Sequence, residues 1–457
     1  MNEFSTFNPS TAQVLKTYRY ASDQEIEKAL AVLSRGSRQR LTATQKRVRL
    51  GHFAQALTAK KQDLGQLITR EMGKPLAEAM AEVEKSVTAI EYALQNFEQE
   101  LADEFVQTKD TQLTVRKQAL GPVFAVMPWN FPIWQILRVL PMSFAAGNPV
   151  LLKHSDLVAG TAGLLADLAG EALGLEYFQN LYLNHDQAAQ IIADTRIRAV
   201  TMTGSARGGR EIAAQAGRSL KKVVLELGGS DPYLVFSDAD VSAAAKLCVQ
   251  TRLLNNGQSC ISGKRFLIHE KIYDQFITDF CHELGQAKIG DPMLTETKLG
   301  PLAQAKFKAG LQKQIEQLQS QGGQKIFEVP LILENELKAG AFFAPQVFAV
   351  SGLEPAVTHD EFFGPVALMM KFKSEDHAIQ LANASVYGLG GGVFSKDLEV
   401  CRRVSDRLDC GLVAWNDFVR SHPAAPFGGV KDSGFGRELG ACGFRELLNL
   451  KTLSRRL

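Results

Sequence analysis

The stretch Ala199-Val200-Thr201-Met202-Thr203-Gly204-Ser205-Ala206-Arg207-Gly208-Gly209 joins an apolar segment to a turn rich in glycine and serine. Residues 199–203 are each apolar or β-branched, which is typical of a buried strand, and the residues after the turn open a predicted helix. A strand that passes through a short turn into a helix is the building unit of α/β proteins. The stretch therefore predicts an α/β fold.

Strands and helices alternate on both sides of this stretch. The predicted strands are residues 123–127, 149–153, 181–183, 199–203 and 222–226. A small-residue helix is predicted over residues 160–172, between two of these strands. Such alternation predicts a parallel, doubly wound sheet. A second alternating region, from about residue 231 to residue 429, predicts another α/β domain.

The first hundred residues are predicted to be mainly helical. Ser22-Asp23-Gln24-Glu25 has the spacing of a capping box, which predicts the start of a helix. Residues 42–102 hold long, mostly proline-free runs with apolar residues at helical spacing, and Gly73-Lys74-Pro75 predicts a break between two helices. Residues 111–117 alternate as a strand does.

The composition is that of an ordinary globular protein, with 457 residues and 50.0 kDa, 45% hydrophobic and 22% charged. A net charge of +2 gives no support to nucleic acid as a partner, and no segment reaches the roughly 18 apolar residues of a membrane span. The six cysteines form no Cys-x-x-Cys pair and no zinc-like spacing with histidine, so neither a disulfide framework nor a metal site is predicted. No secretory signal is visible at the N-terminus, and we expect a cytoplasmic protein.

Cys260 lies in Asn255-Asn256-Gly257-Gln258-Ser259-Cys260-Ile261-Ser262. The turn-forming residues before the cysteine favour a loop that presents the thiol, rather than a core strand. A thiolate is the side-chain nucleophile that is most easily activated near neutral pH. The alternative is a cysteine that fills apolar space.

Glu226 ends a predicted apolar strand and precedes Leu227-Gly228-Gly229. A carboxylate there faces the carboxyl edge of a parallel sheet, where ligand sites gather. Burial would raise its pKa towards the value that suits a general base. The alternative is a carboxylate that caps the next helix or pairs with a lysine.

Three further strings are candidates for a site. Pro128-Trp129-Asn130-Phe131-Pro132 immobilises an amide that could donate to an oxyanion, although a rigid turn explains the string equally well. Thr203-Gly204-Ser205 stands where a dinucleotide phosphate would meet a helix N-terminus, but it lacks the Gly-x-Gly-x-x-Gly spacing. The aromatic loops at residues 361–366 and 426–434 would shape a pocket mouth, or are ordinary turns.

Taken together and in this order, these strings resemble the aldehyde dehydrogenase superfamily. The six motifs are Pro-Trp-Asn-Phe-Pro, Thr-Gly-Ser, Glu-Leu-Gly-Gly, Gly-Gln-Ser-Cys, Glu-Phe-Phe-Gly-Pro and Pro-Phe-Gly-Gly. The resemblance covers nearly the whole chain, from residue 7 to residue 452. It implies an NAD(P)-dependent enzyme with a Rossmann-type cofactor domain (residues 1–100 and 121–230), an α/β catalytic domain (231–430) and a small β element (101–120 and 447–457) that joins subunits into a homodimer or homotetramer.

The resemblance also implies the chemistry. Cys260 would attack the aldehyde to give a thiohemiacetal whose oxyanion is held by the Asn130 amide and the Cys260 backbone N–H. After hydride transfer to the nicotinamide, Glu226 would activate water to release the free acid from the thioester. The cofactor-binding residues implied are Trp129, Lys153, Asp156, Thr203, Gly204, Ser205, Glu361 and Phe363, and the substrate-binding residues are Phe131, Arg138, Ile261 and Phe427.

Two departures from the usual family pattern bear on specificity. The segment Lys153-His154-Ser155-Asp156 replaces the usual Lys-Pro-Ser-Glu, and the Asp156 charge would repel a 2′-phosphate, which favours NAD over NADP. His154 is expected to pack in place of the proline.

Arg138 stands where many members that act on neutral substrates carry tryptophan. It is seven residues from Phe131, hence on the same face if the segment is helical. In this arginine the chain resembles the succinate-semialdehyde dehydrogenase branch, where the guanidinium could bind a substrate carboxylate through two hydrogen bonds. The string Cys260-Ile261-Ser262-Gly263-Lys264-Arg265 also resembles that branch. The alternative is a structural ion pair.

Three rival functions differ in what they require. A CoA-acylating dehydrogenase would typically lack Glu226, a non-redox thiol esterase would act without NAD(P), and an inactive relative would have lost Cys260 or Asn130.

Overall fold

The computed structural model describes residues 2–457. The elements of the first half are β1 (Glu3–Phe7), β2 (Val14–Arg19), α1 (Asp23–Gly36), α2 (Ala43–Ala59), α3 (Lys61–Met72), α4 (Leu76–Glu100), β3 (Glu104–Gln107), β4 (Thr111–Ala119), β5 (Val123–Met127), α5 (Trp134–Leu137), α6 (Leu140–Ala146), β6 (Val150–His154), α7 (Ala159–Leu173), β7 (Phe178–Asn180), α8 (His185–Ala193), β8 (Ala199–Thr203), α9 (Ala206–Arg218) and β9 (Lys222–Glu226).

The second half continues the alternation of strands and helices. Its elements are β10 (Asp231–Val235), α10 (Val241–Leu253), β11 (Gly263–His269), α11 (Tyr273–Gly285), α12 (Ala305–Ser320), β12 (Gln324–Glu328), β13 (Gln346–Ala349), α13 (Pro355–His359), β14 (Val366–Phe372), α14 (Glu375–Asn383), β15 (Tyr387–Gly388), β16 (Gly390–Phe394), α15 (Leu398–Ser405), β17 (Leu412–Trp415), β18 (Val430–Lys431), β19 (Gly434–Phe435), α16 (Gly440–Arg445) and β20 (Leu448–Arg456).

The first large sheet has the strand order β19-β9-β8-β5-β6-β7. Its strands are parallel except β19, which runs antiparallel to β9. The predicted parallel sheet is therefore confirmed. The predicted strand at residues 181–183 is wrong by three residues, because after Asn180 the chain makes one more strand-like bond, from Leu181 N to Leu152 O, and then turns towards the cap of α8 at Asn184.

The second large sheet has the order β12-β13-β14-β11-β10-β16-β17 and is parallel except for β12. It forms the second α/β unit that the sequence predicts. Its inner strands β10, β11 and β14 are buried on both faces, as expected where helices cover a parallel sheet. The carboxyl end of β9 in the first sheet and the loop before β11 in the second carry the two residues singled out above, Glu226 and Cys260.

The N-terminal helices begin where the sequence predicts. The capping box at Ser22 is present, and Gly73, with φ of 78°, ends α3 in the left-handed conformation that glycine adopts without a Cβ clash. The long helical run before Gly73 is nevertheless two helices, with a kink at Lys60. Lys60 makes no side-chain capping bond, so the sequence carries no signal for this boundary.

A small antiparallel sheet of order β20-β4-β3 stands apart from both large sheets. It contains residues from the two segments assigned to subunit contact, and β20 is exposed along almost its whole length. Within residues 2–457, no helix is long and apolar enough to cross a membrane.

Candidate active site

The loop before Cys260 is held by three successive residues in the left-handed conformation. Asn255, Asn256 and Gly257 have φ of 55°, 59° and 75°. The asparagine side chains fix this loop: Asn255 Nδ2 donates to the carbonyl of Asn130, and Asn256 Nδ2 donates to the carbonyls of Gly73 and Pro301. A Cβ at Gly257 would lie 2.5 Å from the backbone of Gly364. The glycine and asparagine residues therefore have structural reasons to precede the cysteine.

Cys260 is half-buried, and hydrogen bonds from Lys264 hold its loop in place. Lys264 Nζ donates to the carbonyls of Ser259 at 2.8 Å and Cys260 at 2.9 Å, and lies 3.4 Å from Glu361 Oε1. Burial raises the pKa of the Cys260 thiol to about 12, while the positive charges of Arg138 and Lys264 oppose that rise. The thiol therefore needs a nearby base or further positive charge to become a nucleophile.

Asn130 holds its amide in place through both ends. Its Nδ2 donates to the carbonyl of Gln258 at 3.0 Å, and its Oδ1 accepts from Gln135 Nε2 at 2.9 Å. The side chain is buried, and an amide nitrogen carries two hydrogens, so one remains after the bond to Gln258. This is the arrangement of a fixed donor beside the cysteine loop.

Glu226 is a buried carboxylate whose two oxygens have no hydrogen-bond partner among the described residues. Burial raises its pKa well above the ordinary value, the charge of Glu438 raises it further, and Arg138 and Arg437 oppose the rise. A buried polar group normally has a hydrogen-bond partner. The unpaired carboxylate of Glu226 is explained if it acts as a base on a water molecule that enters the site.

Arg138 contacts a carboxylate of the protein itself. Its Nε lies 2.7 Å from Glu438 Oε2, with both side chains 3% exposed, although the two groups are not aligned as a hydrogen bond. Its Nη2 donates to Thr203 Oγ1 at 3.1 Å, and its guanidinium lies over the ring of Phe427. The sequence offered a structural ion pair as the alternative role for Arg138, and the ion pair is present.

Phe131 and Arg138 lie on the same side of their segment, as expected for helical spacing. Helix α5 is short, but backbone bonds from Gln135 N to Phe131 O and from Arg138 N to Trp134 O extend the helical turn in both directions. Both side chains line one cavity of about 240 Å³. The other residues around this substrate-side cavity include Glu78, Glu82, Lys85, Trp134, Cys260, Ile261, Arg420, Ser421 and Phe427.

A second cavity, of about 380 Å³, opens on the other side of Cys260. It begins at the turn between β8 and α9, where Ser205 caps the helix by accepting from Gly208 N. The residues predicted for the cofactor that line it are Trp129, Thr203, Gly204, Ser205, Glu361 and Phe363, together with Asn130 and Cys260. The two cavities meet at Cys260.

The cofactor-side cavity fits a nicotinamide dinucleotide. The N-terminus of α9 suits a diphosphate, because unpaired N–H groups and the helix dipole attract anions. Glu361, whose carboxylate accepts from Gly229 N, stands nearer to Cys260 and suits a ribose hydroxyl. Trp129 and Phe363, with ring centroids 5.7 Å apart, give aromatic walls for a flat ring.

Comparison with known proteins agrees with this geometry. Residues 1–453 match the model of the aldehyde dehydrogenase family. The chain belongs to this family.

Several relatives of this aldehyde dehydrogenase are named for one substrate. A succinate semialdehyde dehydrogenase [NAD(P)+] of Escherichia coli strain K12 is 40% identical over 98% of this chain and 97% of its own length. A succinate-semialdehyde dehydrogenase [NADP(+)] of Mycobacterium bovis is 38% identical over 98% and 99%. The crystal structure of succinic semialdehyde dehydrogenase from Streptococcus pyogenes with NADP+ has a TM-score of 0.94 at 35% identity, covering 98% and 99% of the two chains. The chain is an NAD(P)-dependent aldehyde dehydrogenase.

Two residues predicted to bind the cofactor lie outside the cofactor-side cavity of this aldehyde dehydrogenase. Lys153 lies in β6, one residue before the end of the strand, and Asp156 follows in the short helical turn after it. Asp156 Oδ2 accepts from the hydroxyl of Tyr20 at 2.8 Å, a contact that the sequence did not indicate. His154 packs as expected: its Nε2 contacts the carbonyl of Pro132 at 2.9 Å, and burial lowers its pKa to about 4.

The sequence analysis missed one whole wall of the cofactor-side cavity. The side of helix α12 that faces it contributes Lys306, Phe307, Gly310, Leu311 and Gln314. Phe307 stacks on Trp129 with ring centroids 4.9 Å apart. The three- and four-residue spacing marks these positions as one helix face, but spacing does not tell which helix covers a distant strand end. The part of the chain that the structure describes holds no group of three or more histidine, cysteine, aspartate or glutamate side chains placed to bind a metal.

Proposed function

We propose that this aldehyde dehydrogenase oxidises a short aldehyde that carries a carboxylate, with succinate semialdehyde as the leading candidate. The observation that carries the proposal is that three cations, Lys85, Arg138 and Arg420, line the substrate-side cavity, and that Lys85 has no carboxylate partner among the described residues. The two carboxylates in that lining are engaged elsewhere: Glu82 pairs with Lys74, and Glu78 accepts from Asn255 N. The names of the relatives at 38–40% identity support the same substrate.

In the proposed mechanism, each residue around Cys260 has a separate role. Cys260 adds to the aldehyde carbon, and the resulting oxyanion accepts from the free hydrogen of Asn130 Nδ2. The bound NAD(P) supplies the hydride acceptor. The positive charges of Arg138 and Lys264 favour loss of the Cys260 thiol proton, which leaves to water, so that Glu226 stays available for the second half of the reaction.

Glu226 determines whether the thioester is hydrolysed. Its unpaired carboxylate can accept a proton from a water molecule that attacks the thioester, and the product is then the free acid. Transfer to coenzyme A would not need a base at this position. We therefore propose hydrolysis as the second half of the reaction.

For the cofactor, we propose a preference for NAD that leaves NADP usable. The Asp156 carboxylate, held by the Tyr20 hydroxyl beside Lys153, would accept from a ribose hydroxyl and repel a 2′-phosphate. Relatives that are named for NADP+ support a site that tolerates the phosphate, so the discrimination expected from one aspartate is modest.

We further propose that the small sheet β20-β4-β3 joins two copies of the chain. Its edge strands carry exposed apolar side chains, among them Phe105 at 71% and Leu450 at 56% exposure. An exposed strand edge with apolar side chains is a surface that proteins normally pair or cover. A homodimer or homotetramer would bury it.

The decisive experiment compares succinate semialdehyde with butyraldehyde, each with NAD and with NADP, by the absorbance of the reduced nicotinamide. The two aldehydes have the same length, but only one carries a carboxylate. A charge-assisted contact worth about 1.5–3 kcal/mol predicts a preference of roughly 10- to 150-fold in kcat/KM for succinate semialdehyde. Equal values would refute this substrate, and ester hydrolysis without any NAD(P) as the main activity would refute oxidation as the function.

A further inference from the structure

We infer that Lys85, rather than Arg138, is the residue that binds the carboxylate of the substrate. The inference rests on the proposed function and adds to it the identity of the recognising side chain. It starts from a difference among the cations around the substrate-side cavity: each is paired with a carboxylate of the protein except one.

The other cations near the cavity each contact a carboxylate of the protein. Lys74 contacts Glu82, Arg138 contacts Glu438 at 2.7 Å, and Arg420 contacts Asp417 at 2.5 Å. An incoming carboxylate would have to compete with these partners, and separating a buried pair such as Arg138–Glu438 leaves a buried charge uncompensated.

Lys85 has no carboxylate within ion-pair distance among residues 2–457. Its Nζ donates to Ser421 Oγ at 2.8 Å and lies 4.5 Å from the centre of the Trp134 ring. Glu82, one turn earlier on α4, attracts it, but the oxygens of Glu82 already accept from Lys74 Nζ and from the backbone N–H groups of Ile133 and Trp134. Lys85 is thus a cation that lines the cavity without a counter-ion.

Ser421 completes a site for a carboxylate. Its Oγ accepts from both Lys85 Nζ and Trp134 Nε1, at 2.8 and 3.0 Å. A hydroxyl that accepts twice still has its own hydrogen to donate. A carboxylate can therefore receive one hydrogen bond from Lys85 and a second from Ser421, without displacing any ion pair of the protein.

The surroundings of Lys85 make this recognition sensitive to pH. Burial, together with the positive charges of Arg138, Arg420 and Lys74, lowers the pKa of Lys85 to about 8, and only Glu82 acts in the opposite direction. The charged form binds the carboxylate, so the preference for an anionic aldehyde is present below this pKa and is lost as the pH rises through it. A paired arginine in the same role would give no such change, because its guanidinium stays protonated.

The test compares kcat/KM for succinate semialdehyde and butyraldehyde in the wild type, Lys85→Gln, Lys85→Arg and Arg138→Met, between about pH 6.5 and 9.5. We expect Lys85→Gln to lower the ratio of the two values by about tenfold or more, mainly through the KM of succinate semialdehyde. Lys85→Arg should keep the ratio and make it independent of pH. Lys61→Gln is the matched control, since it removes a lysine that pairs with Glu84 at the surface between α3 and α4, and it should leave the ratio unchanged.

The outcomes separate the inference from the function on which it rests. A wild type without preference for succinate semialdehyde refutes the proposed substrate. A wild-type preference that survives Lys85→Gln but collapses in Arg138→Met overturns the inference and assigns the carboxylate to Arg138. A loss in Lys85→Gln that is equal for both aldehydes also overturns it, because the lysine would then only support the fold of α4.

Discussion

The two cavities that meet at Cys260 are formed by different kinds of structural element. The cofactor-side cavity is formed largely by strand ends and turns, such as Gly204 and Ser205 after β8 and Gly228 after β9. The substrate-side cavity is formed by side chains from helices and loops that are far apart in sequence, such as Lys85, Arg138 and Ser421. The first holds its ligand mainly through backbone geometry and the second through charge. The cofactor-side cavity can therefore be similar among relatives with different substrates. The substrate preference of the other cavity depends on a few side chains.

Replacing Cys260, which lines both cavities, should separate catalysis from cofactor binding most clearly. Cys260→Ala should lower turnover by ~10³-fold or more, because covalent catalysis has no alternative nucleophile of comparable rate. Binding of NAD(P), measured by fluorescence or calorimetry, should remain close to wild type. Cys281→Ala, in α11 away from both cavities, is the control and should stay active. A Cys260→Ala enzyme with more than about a tenth of wild-type turnover would disprove the role of the thiol.

Glu226 should affect the second half of the reaction more than the first. In Glu226→Gln, rapid mixing should show a burst of reduced cofactor followed by a steady state slower by ~10²-fold, because the thioester lacks its base. Glu211→Gln, on the exposed part of α9, serves as a control for the loss of a carboxylate. If the variant forms reduced cofactor slowly from the first turnover, Glu226 acts before hydride transfer and the assignment changes.

Glu438 links the charges of the two cavities and should give the smallest effect. It pairs with Arg138 on the substrate side, and its charge raises the pKa of Glu226. The steady-state rate of the wild type should rise with pH as Glu226 loses its proton. In Glu438→Gln the repulsion is absent and Arg138 is freed to attract Glu226, so the acid limb of the profile should move to lower pH, with rates several times higher on that side.

The control for this prediction is Glu176→Gln, which removes a carboxylate from the remote, half-buried pair with Arg49 and should leave the profile unchanged. An acid limb that stays in place or moves to higher pH in Glu438→Gln would show that the two carboxylates are not coupled. Only the direction of the movement is diagnostic, because a change of side chain at a buried ion pair also affects stability.

The difference between the cavities explains how far the sequence alone could lead. Strand β5 and the turn after β8 follow from local composition, and the loop before Cys260 contains the residues that left-handed backbone requires. Local patterns do not reveal partners from distant parts of the chain. Nothing near Arg138 indicates that Glu438 will neutralise it, and nothing in α4 distinguishes Lys85 from a surface lysine. The face of α12 over the cofactor-side cavity was missed for the same reason.

The strand that carries Glu226 has a consequence for how the enzyme is made. Strand β9 has β8 on one side and β19 on the other, with Gly434 opposite Glu226 and the carbonyl of Ser433 accepting from Leu227 N. A growing chain must therefore extend past residue 434 before this strand gains its second neighbour. A chain that stops short of residue 434 keeps an open strand edge, which invites aggregation or proteolysis. The strand that carries the base therefore stays paired on one side only until residue 434 has been added.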